Sequence, residues 1–403
     1  LPTANRPGNN LDTAVKGFAG IETQDLNGRP FPDASANNMN LRAILLWFHR
    51  YLGLLATLPL VLLGLSGAVL TFEAELDRAI NPTYWHVTPQ GQPMAWQDVI
   101  AAARRAYPGE PPQSLRFPTS PDVAAELTLK GGRMVTVNPY TGGMLGSRRQ
   151  ADVLTARIHQ FHTRLLMDKA GQWITGTSTF ILLVLGPTGL VLWWRRKGFG
   201  IKWPAPWRRV NYDAHHAFGI FGLLPWMVLG LTGGVMVFEG TLRPAPPKHE
   251  AHAPAPRSSS RPAHPIPVDA ALDAASRALP GAQITLTTLP SNAGGAFLVY
   301  MKFPEDRTPA GRSHVAIDAA NGSVQWVENS RTAPATTRLW NLNRPLHTGD
   351  IFGWPTRLLA CLASLAMALQ AISGVWMWWP RRKRKDGSKS QRTPAGIGAG
   401  ITQ

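Results

Sequence analysis

One cysteine, Cys361, occurs in this chain of 403 residues. An intrachain disulfide is therefore excluded, and the position of Cys361 inside an apolar run points to packing. Acidic residues are scarce: 24 Asp and Glu stand against 41 Lys and Arg, for a net charge of +17. Charge of either sign is nearly missing from four runs, residues 41–72, 173–194, 214–239 and 352–379. Each is long enough for the roughly 20 residues that carry a helix across a bilayer. The first forty residues hold no secretory-signal core. They are polar, rich in Asn, Gly and Pro, and read as a disordered arm over 1–40.

The basic residues cluster in two short stretches, 195–213 and 380–403, each beside an apolar run. That placement argues against nucleic acid as partner and for a membrane surface. By the positive-inside rule both stretches and both termini are cytoplasmic. The two large segments, 73–172 and 240–351, are close to charge balance and fall outside. The expected setting is a cell membrane, in contact with lipid, with the large segments on the side away from the cytoplasm.

Two apolar runs are nearly the same sentence. Overlaid without a gap, they pair His49 with His215, Gly53 with Gly219, Pro59 with Pro225, Gly67 with Gly233 and Glu73 with Glu239. The second and fourth runs also correspond: His162-Thr163 matches His347-Thr348, Gly189 matches Gly374, and Trp193-Trp194 match Trp378-Trp379. Each half is then helix, outside domain, helix. In the outside domains, AWQDVIAAARRAYPG and VDAALDAASRALPGA have helical periodicity. AAELTLK with RMVTVNPYTGGMLGSR, and AFLVYMKF with SHVAIDAANGSVQWVEN, read as strands with tight turns. Two α+β domains on four transmembrane helices are expected. Residues 244–267, with His249, His252 and His264, read as a flexible spacer. Pro59 and Pro225 are expected to kink the first and third helices.

A duplicated histidine can supply two ligands to one metal centre. His49 and His215 would lie near one membrane face, His162 and His347 near the other. From His49 to Glu73 a helix rises about 36 Å, too far for one centre to serve both pairs. Each histidine has an ordinary alternative: an interfacial ring for His49 and His215, a loop residue for His162 and His347. Recurrence at matched positions favours ligands. His216 adjoins His215 and points about 100° away, so only one of them is expected to face a shared site. His159 lies one turn before His162 and is left open as ligand or hydrogen-bond partner. His86 and His314 have no counterpart and read as surface residues. Ser66-Gly67, Thr188-Gly189, Thr232-Gly233 and Ser373-Gly374 let helices, or a flat ligand, approach closely; packing alone explains them as well. Trp193, Trp194, Trp376, Trp378 and Trp379 read as an aromatic belt. Glu73, Glu75, Asp77 and Glu239 form an acidic rim, by ordinary helix-end solvation or by a role toward protons or iron.

Phe48-His49-Arg50, Gly64-Leu65-Ser66-Gly67, Phe72-Glu73 and Glu75-Leu76-Asp77, with their second-half counterparts and the WW-RRK exits, resemble the PepSY-associated transmembrane family. The resemblance spans about residues 41 to 385. It implies PepSY-like periplasmic domains. It also implies two b-type haems and a ferric-siderophore reductase activity, since known members include such enzymes. His49 with His215 and His162 with His347 are then the expected axial ligands, with Arg164 and Arg344 beside the haem propionates. Gly240-Thr241-Leu242-Arg243 replaces the acidic run in the second half, which separates the two acidic clusters. The electron donor, a quinol or a cytoplasmic reductase, is not specified by any motif. A non-enzymatic binding or assembly module and a siderophore transporter are the alternatives; no charged path through the membrane supports the transporter.

Overall fold

The computed structural model describes residues 34–195, 198–242, 265–291 and 294–387. The arm 1–33, the three spacer histidines and the tail beyond 387 lie outside the described residues.

The first membrane helix, α1 (Ala34–Leu70), begins inside the stretch read as an arm. No Gly or Pro between Ala34 and Arg42 interrupts it. Short helices α2 (Glu73–Ile80) and α3 (Pro82–Trp85) follow, then α4 (Trp96–Ala106). Strands β1 (Pro112–Arg116), β2 (Ala125–Leu129), β3 (Arg133–Val137) and β4 (Met144–Arg149) complete the first outside segment. Helix α5 (Leu154–Arg164) turns into α6 (Asp168–Trp194). The second half repeats this order: α7 (Trp207–Phe221), α8 (Leu223–Val237), α9 (Glu239–Leu242), α10 (Val268–Ala278), β5 (Gln283–Thr288), β6 (Ala296–Lys302), β7 (Ser313–Asp318), β8 (Val324–Glu328), α11 (Ala335–Thr348) and α12 (Trp354–Gly387).

Among the described residues three helices are long and apolar enough to cross a membrane: Leu41–Leu70, Asp168–Trp194 and Trp354–Trp379. The pair α7 and α8, bent by 61°, makes a fourth candidate if counted as one broken span. Of the two expected proline kinks, the third span shows one, three residues before Pro225. Pro59 lies inside α1, which continues as one helix through it. The break falls at Gly222, where the Trp226 indole folds back so closely that a Cβ would lie 2.4 Å from it. Pro225, in the first turn of α8, has no N–H to donate to the Phe221 carbonyl, so one unbroken helix through this point would lack that bond.

The two outside segments are not separate α+β domains. They form one antiparallel sheet of eight strands, ordered β4-β3-β2-β1-β5-β6-β7-β8. The halves join where β1 pairs with β5, with Ser114 opposite Thr288 and Arg116 opposite Leu286. Helices α4 and α10 pack on one face and touch each other. A single core includes Val99, Leu115, Leu127 and Val135 from the first half and Ala275, Val299, Val315 and Ile317 from the second. A separate sheet in each half would leave β1 and β5 as open edges. Pairing them satisfies both rows of backbone groups.

Two details confirm the duplication. Asn138 and Asp318 each accept a backbone N–H two residues on, from Tyr140 and Ala320. Gly142 (φ +71°) and Gly322 (φ +74°) then close equivalent turns in the left-handed region. In the membrane part, Gln172 donates to Val237 O (2.8 Å) while Arg357 donates to Thr71 O (2.7 Å). Each reaches from the start of one half's last long helix to the end of the other half's first span.

Candidate functional site

Four histidines are seated in the same way. His49 Nδ1 lies 2.9 Å from Thr188 Oγ1, and His215 Nδ1 lies 2.6 Å from Ser373 Oγ. His162 Nδ1 lies 2.9 Å from Ser66 Oγ, and His347 Nδ1 lies 3.0 Å from Thr232 Oγ1. In each case the next residue is glycine, and the imidazole Cε1 rests on it. A Cβ there would stand 3.1 Å from His162 at Gly67, 3.2 Å from His49 at Gly189, 3.0 Å from His347 at Gly233 and 3.5 Å from His215 at Gly374. The four small pairs are thus imidazole seats, beyond the helix packing that also accounts for them. Every seat lies within one half of the chain.

The rings reach two cavities, each shared by both halves. His49 and His215 line a cavity of about 610 Å³ at the end away from the sheet. His162 and His347 line one of about 770 Å³ at the sheet end. Both volumes suit a bound cofactor. Leu60, Leu182 and Met367 line both cavities and form the wall between them. Trp226, buried beside them, donates its indole N–H to Ala363 O at 2.8 Å.

At the sheet end the rings of His162 and His347 have centroids 6.3 Å apart and planes inclined by 54°. A metal–imidazole bond is about 2 Å, so two rings facing one metal from opposite sides have centroids about 6 Å apart. The turn that carries His162 into α6 is tight. Leu165, Leu166 and Asp168 have φ of 48°, 59° and 48°, a region costly for non-glycine residues. Gly171 meets the Arg164 carbonyl so closely that no side chain fits. His159 lies on the same cavity but has no such seat; its Nδ1 is 4.0 Å from Glu73 Oε2. Arg157, Arg164 and Arg344 also line this cavity. Among the described residues neither Arg164 nor Arg344 has a side-chain ion pair.

At the opposite end His216 lines the cavity together with His215, against the expectation that only one would. The cavity is wide enough to be reached from both positions. His216 Nδ1 is 2.7 Å from Tyr212 O, so it lacks a hydroxyl–glycine seat. Arg42, Arg50, Arg208 and Arg209 surround this cavity. Arg42 and Arg208 hold the same repeat position, a signal present in the gapless overlay but unread. Trp193 and Trp378, also repeat equivalents, line the cavity and do not belong to a simple belt. Trp194, Trp376 and Trp379 are exposed, as a belt requires.

The acidic rim divides. Glu73 and Glu239 line the sheet-end cavity. Glu75 is bound by Arg357, whose two guanidinium nitrogens are each 2.7 Å from its carboxylate. Those hydrogen bonds hold the Glu75 carboxyl below its ordinary range, against the opposing effect of burial. Asp77 is buried under the sheet and is no part of a rim. Arg148 grips it at 2.6 and 2.5 Å, and Trp85 donates to it at 2.9 Å. Burial alone would raise the Asp77 carboxyl, and the bonds from Arg148 outweigh it, so its pKa falls. His314 is also no free surface residue: it pairs with Glu328 at 2.7 Å. His86 makes an isolated bridge to Val123.

These features define a multi-pass membrane protein with two paired-histidine cavities, one at each end of a duplicated bundle, beneath a fused antiparallel sheet. The chain belongs to the PepSY-associated TM region family, whose model matches residues 46–381. A comparison with curated proteins gives no match.

Proposed function

We propose that each histidine pair holds one b-type haem and that the protein carries electrons across the inner membrane to a ferric siderophore in the periplasm. The observation that carries this reading is the fourfold seating of His49, His215, His162 and His347 in two cavities. Among the described residues no group of three or more His, Cys, Asp or Glu is arranged to hold a metal ion. Two imidazoles supply two ligands per cavity, so a planar macrocycle must supply the rest. A haem held by His49 with His215, or by His162 with His347, would supply one-electron transfer.

The chain's own residues divide the work. His49 with His215, and His162 with His347, would each present one nitrogen from each half. Arg42 and Arg208 at one end, and Arg157, Arg164 and Arg344 at the other, would neutralise propionates. Leu60, Leu182, Met367 and Trp226 keep the wall between the cavities dry, which excludes water and ions from the electron path. The sheet end opens toward the domain that would receive the chelate. The donor, a quinol or a cytoplasmic reductase, gives one electron at the basic end; Fe(III) in the chelate takes it and leaves as Fe(II), which the chelator holds less tightly. A siderophore transporter would need the halves to move against one another, and a shared core opposes that. A binding or assembly module needs no seated imidazole pairs.

The test is a pyridine haemochrome count on purified protein from haem-replete cells, followed by spectra during addition of a ferric siderophore to the reduced protein. Two haems per chain are expected, with about half lost in His49→Ala and in His347→Ala. Protein without a Soret band overturns the cofactor reading. Haem that stays reduced with ferric siderophore overturns the reductase reading alone.

A further inference from the structure

The four seat hydroxyls do more than fill space. Each is already a donor within its own helix. Ser66 Oγ donates to Leu62 O at 2.6 Å and Thr188 Oγ1 to Val184 O at 2.9 Å. Thr232 Oγ1 donates to Val228 O at 2.6 Å and Ser373 Oγ to Gln370 O at 2.9 Å. A hydroxyl has one proton and two lone pairs. With its proton committed to a helix carbonyl, each can only accept from the imidazole beside it. The Nδ1 atoms 2.6 to 3.0 Å away must therefore carry the hydrogen.

We infer that Ser66, Thr188, Thr232 and Ser373 are positioning residues that fix His162, His49, His347 and His215 as Nδ1–H tautomers, leaving each Nε2 with a free lone pair to bind a metal. The inference deepens the haem reading but does not need haem to be tested. Tautomer choice is otherwise an even contest in a neutral imidazole, and a neighbour on the other nitrogen decides it. The glycine after each hydroxyl completes the seat. It lets the ring edge lie flat on the helix, which aims Nε2 away from the seat. The same bond makes Nδ1–H more polarised and the ring a stronger donor, the usual effect of a partner behind a metal-binding histidine. The hydroxyl is a weaker acceptor than a carboxylate. The ligands thus stay neutral imidazoles, which suits a centre that changes charge by one electron within a membrane.

The experiment uses Thr188→Val and Ser373→Ala for one centre, and Ser66→Ala and Thr232→Val for the other. Thr188→Ser and Ser66→Thr serve as variants that keep the hydroxyl. Nitrogen-15 NMR of histidine-labelled, haem-free protein in detergent reads the tautomer directly. The four seat rings are expected as Nδ1–H, beside His216 and His314, whose Nδ1 atoms also face acceptors, and each hydroxyl deletion should turn one seat ring into a tautomer mixture. In haem-loaded protein, redox titration should show the midpoint of one haem rising and the other unmoved, because a ring without an acceptor gives less charge to ferric iron. Thr188→Ser and Ser66→Thr should restore both readouts. An Nε2–H ring at His49, His162, His215 or His347 in the unaltered protein overturns the inference, as do hydroxyl deletions that leave tautomer and midpoint unchanged. Failure to load haem overturns the proposed function instead, and the NMR result still decides the tautomers.

Discussion

Asp269 and Gln97 cap each other's helices across the two halves of the chain. The Asp269 carboxylate accepts the backbone N–H of Trp96 at 2.9 Å and of Gln97 at 2.8 Å, at the start of α4. Gln97 Oε1 accepts the backbone N–H of Val268 at 3.1 Å, at the start of α10. Neither helix has a side-chain cap from its own N-cap residue, since Ala95 and Pro267 occupy those positions. The caps therefore come from the partner half. Loss of a cap costs about 1 kcal/mol. Asp269→Ala should lower the melting temperature of the purified protein by a few degrees. Adding Gln97→Ala should cost less than the sum of the two single changes, because each loosens the contact the other uses. Strict additivity would mean that the caps act independently.

Two buried carboxylates beneath the sheet should give opposite pH dependence. Asp77 has a lowered pKa, so its contribution is complete above the unfolded value, about 4, and is lost as pH falls through the lower folded value. Asp77→Asn strands Arg148 and should cost about 3 kcal/mol at neutral pH. Glu126 is raised, chiefly by burial, with Arg116 and Arg148 opposing. Its contribution is present below the unfolded value and is lost as pH rises through the folded one. Glu126→Gln should therefore raise the melting temperature near pH 8 and change it little near pH 4. Melting curves from about pH 2 to about pH 8 check both signs.

The four seat glycines should rank by clearance. A methyl at Gly233 or Gly67 would stand 3.0 or 3.1 Å from an imidazole carbon, and at Gly374 3.5 Å, an ordinary contact. Gly233→Ala and Gly67→Ala should push their rings out and lose most of the haem at the sheet end. Gly189→Ala, at 3.2 Å, should fall between, and Gly374→Ala should keep nearly full occupancy. Haem-to-protein ratios after purification decide the order. Equal losses at all four would rule out ring clearance as the cause.

The break in the third span sets a glycine against an indole. Gly222→Ala would drive a methyl into the Trp226 ring, with a 2.4 Å approach at the break. Overpacking of this kind costs roughly 1–3 kcal/mol. Gly222→Ala should lower thermal stability, and Trp226→Leu in the same chain should recover part of it. Detergent melting curves provide the measure.

Much of the site was legible because the chain states it twice. The gapless overlay isolated His49, His215, His162 and His347, and the small pairs stood at matched positions. The meaning of those pairs was not legible, since a serine facing an imidazole and a serine facing a helix look alike in one dimension. Fusion of the outside segments was hidden for a physical reason. The strands that join them, β1 (PQSLR) and β5 (QITLTT), are short and polar, and they escaped the pattern that revealed β2, β3, β6 and β7. Their partner is chosen by backbone groups, which carry no residue signature. Asp77 looked like one more acid in a rim because its partner, Arg148, is distant in sequence.

Each seat is complete within its own half, yet each cavity takes one imidazole from each half. Half of this chain is therefore a subunit in the strict sense: it orients two ligands correctly and finishes neither centre. A single-repeat ancestor with this geometry would have been a two-fold homodimer, with the open edges of two β1 strands meeting at the symmetry axis. Fusing the copies freed the two halves to diverge, as Leu60 and Trp226 already have at one repeat position beside the axis. It also sets an order of manufacture, because neither cavity can close before His347 and Ser373, near the end of the chain, have been made and inserted.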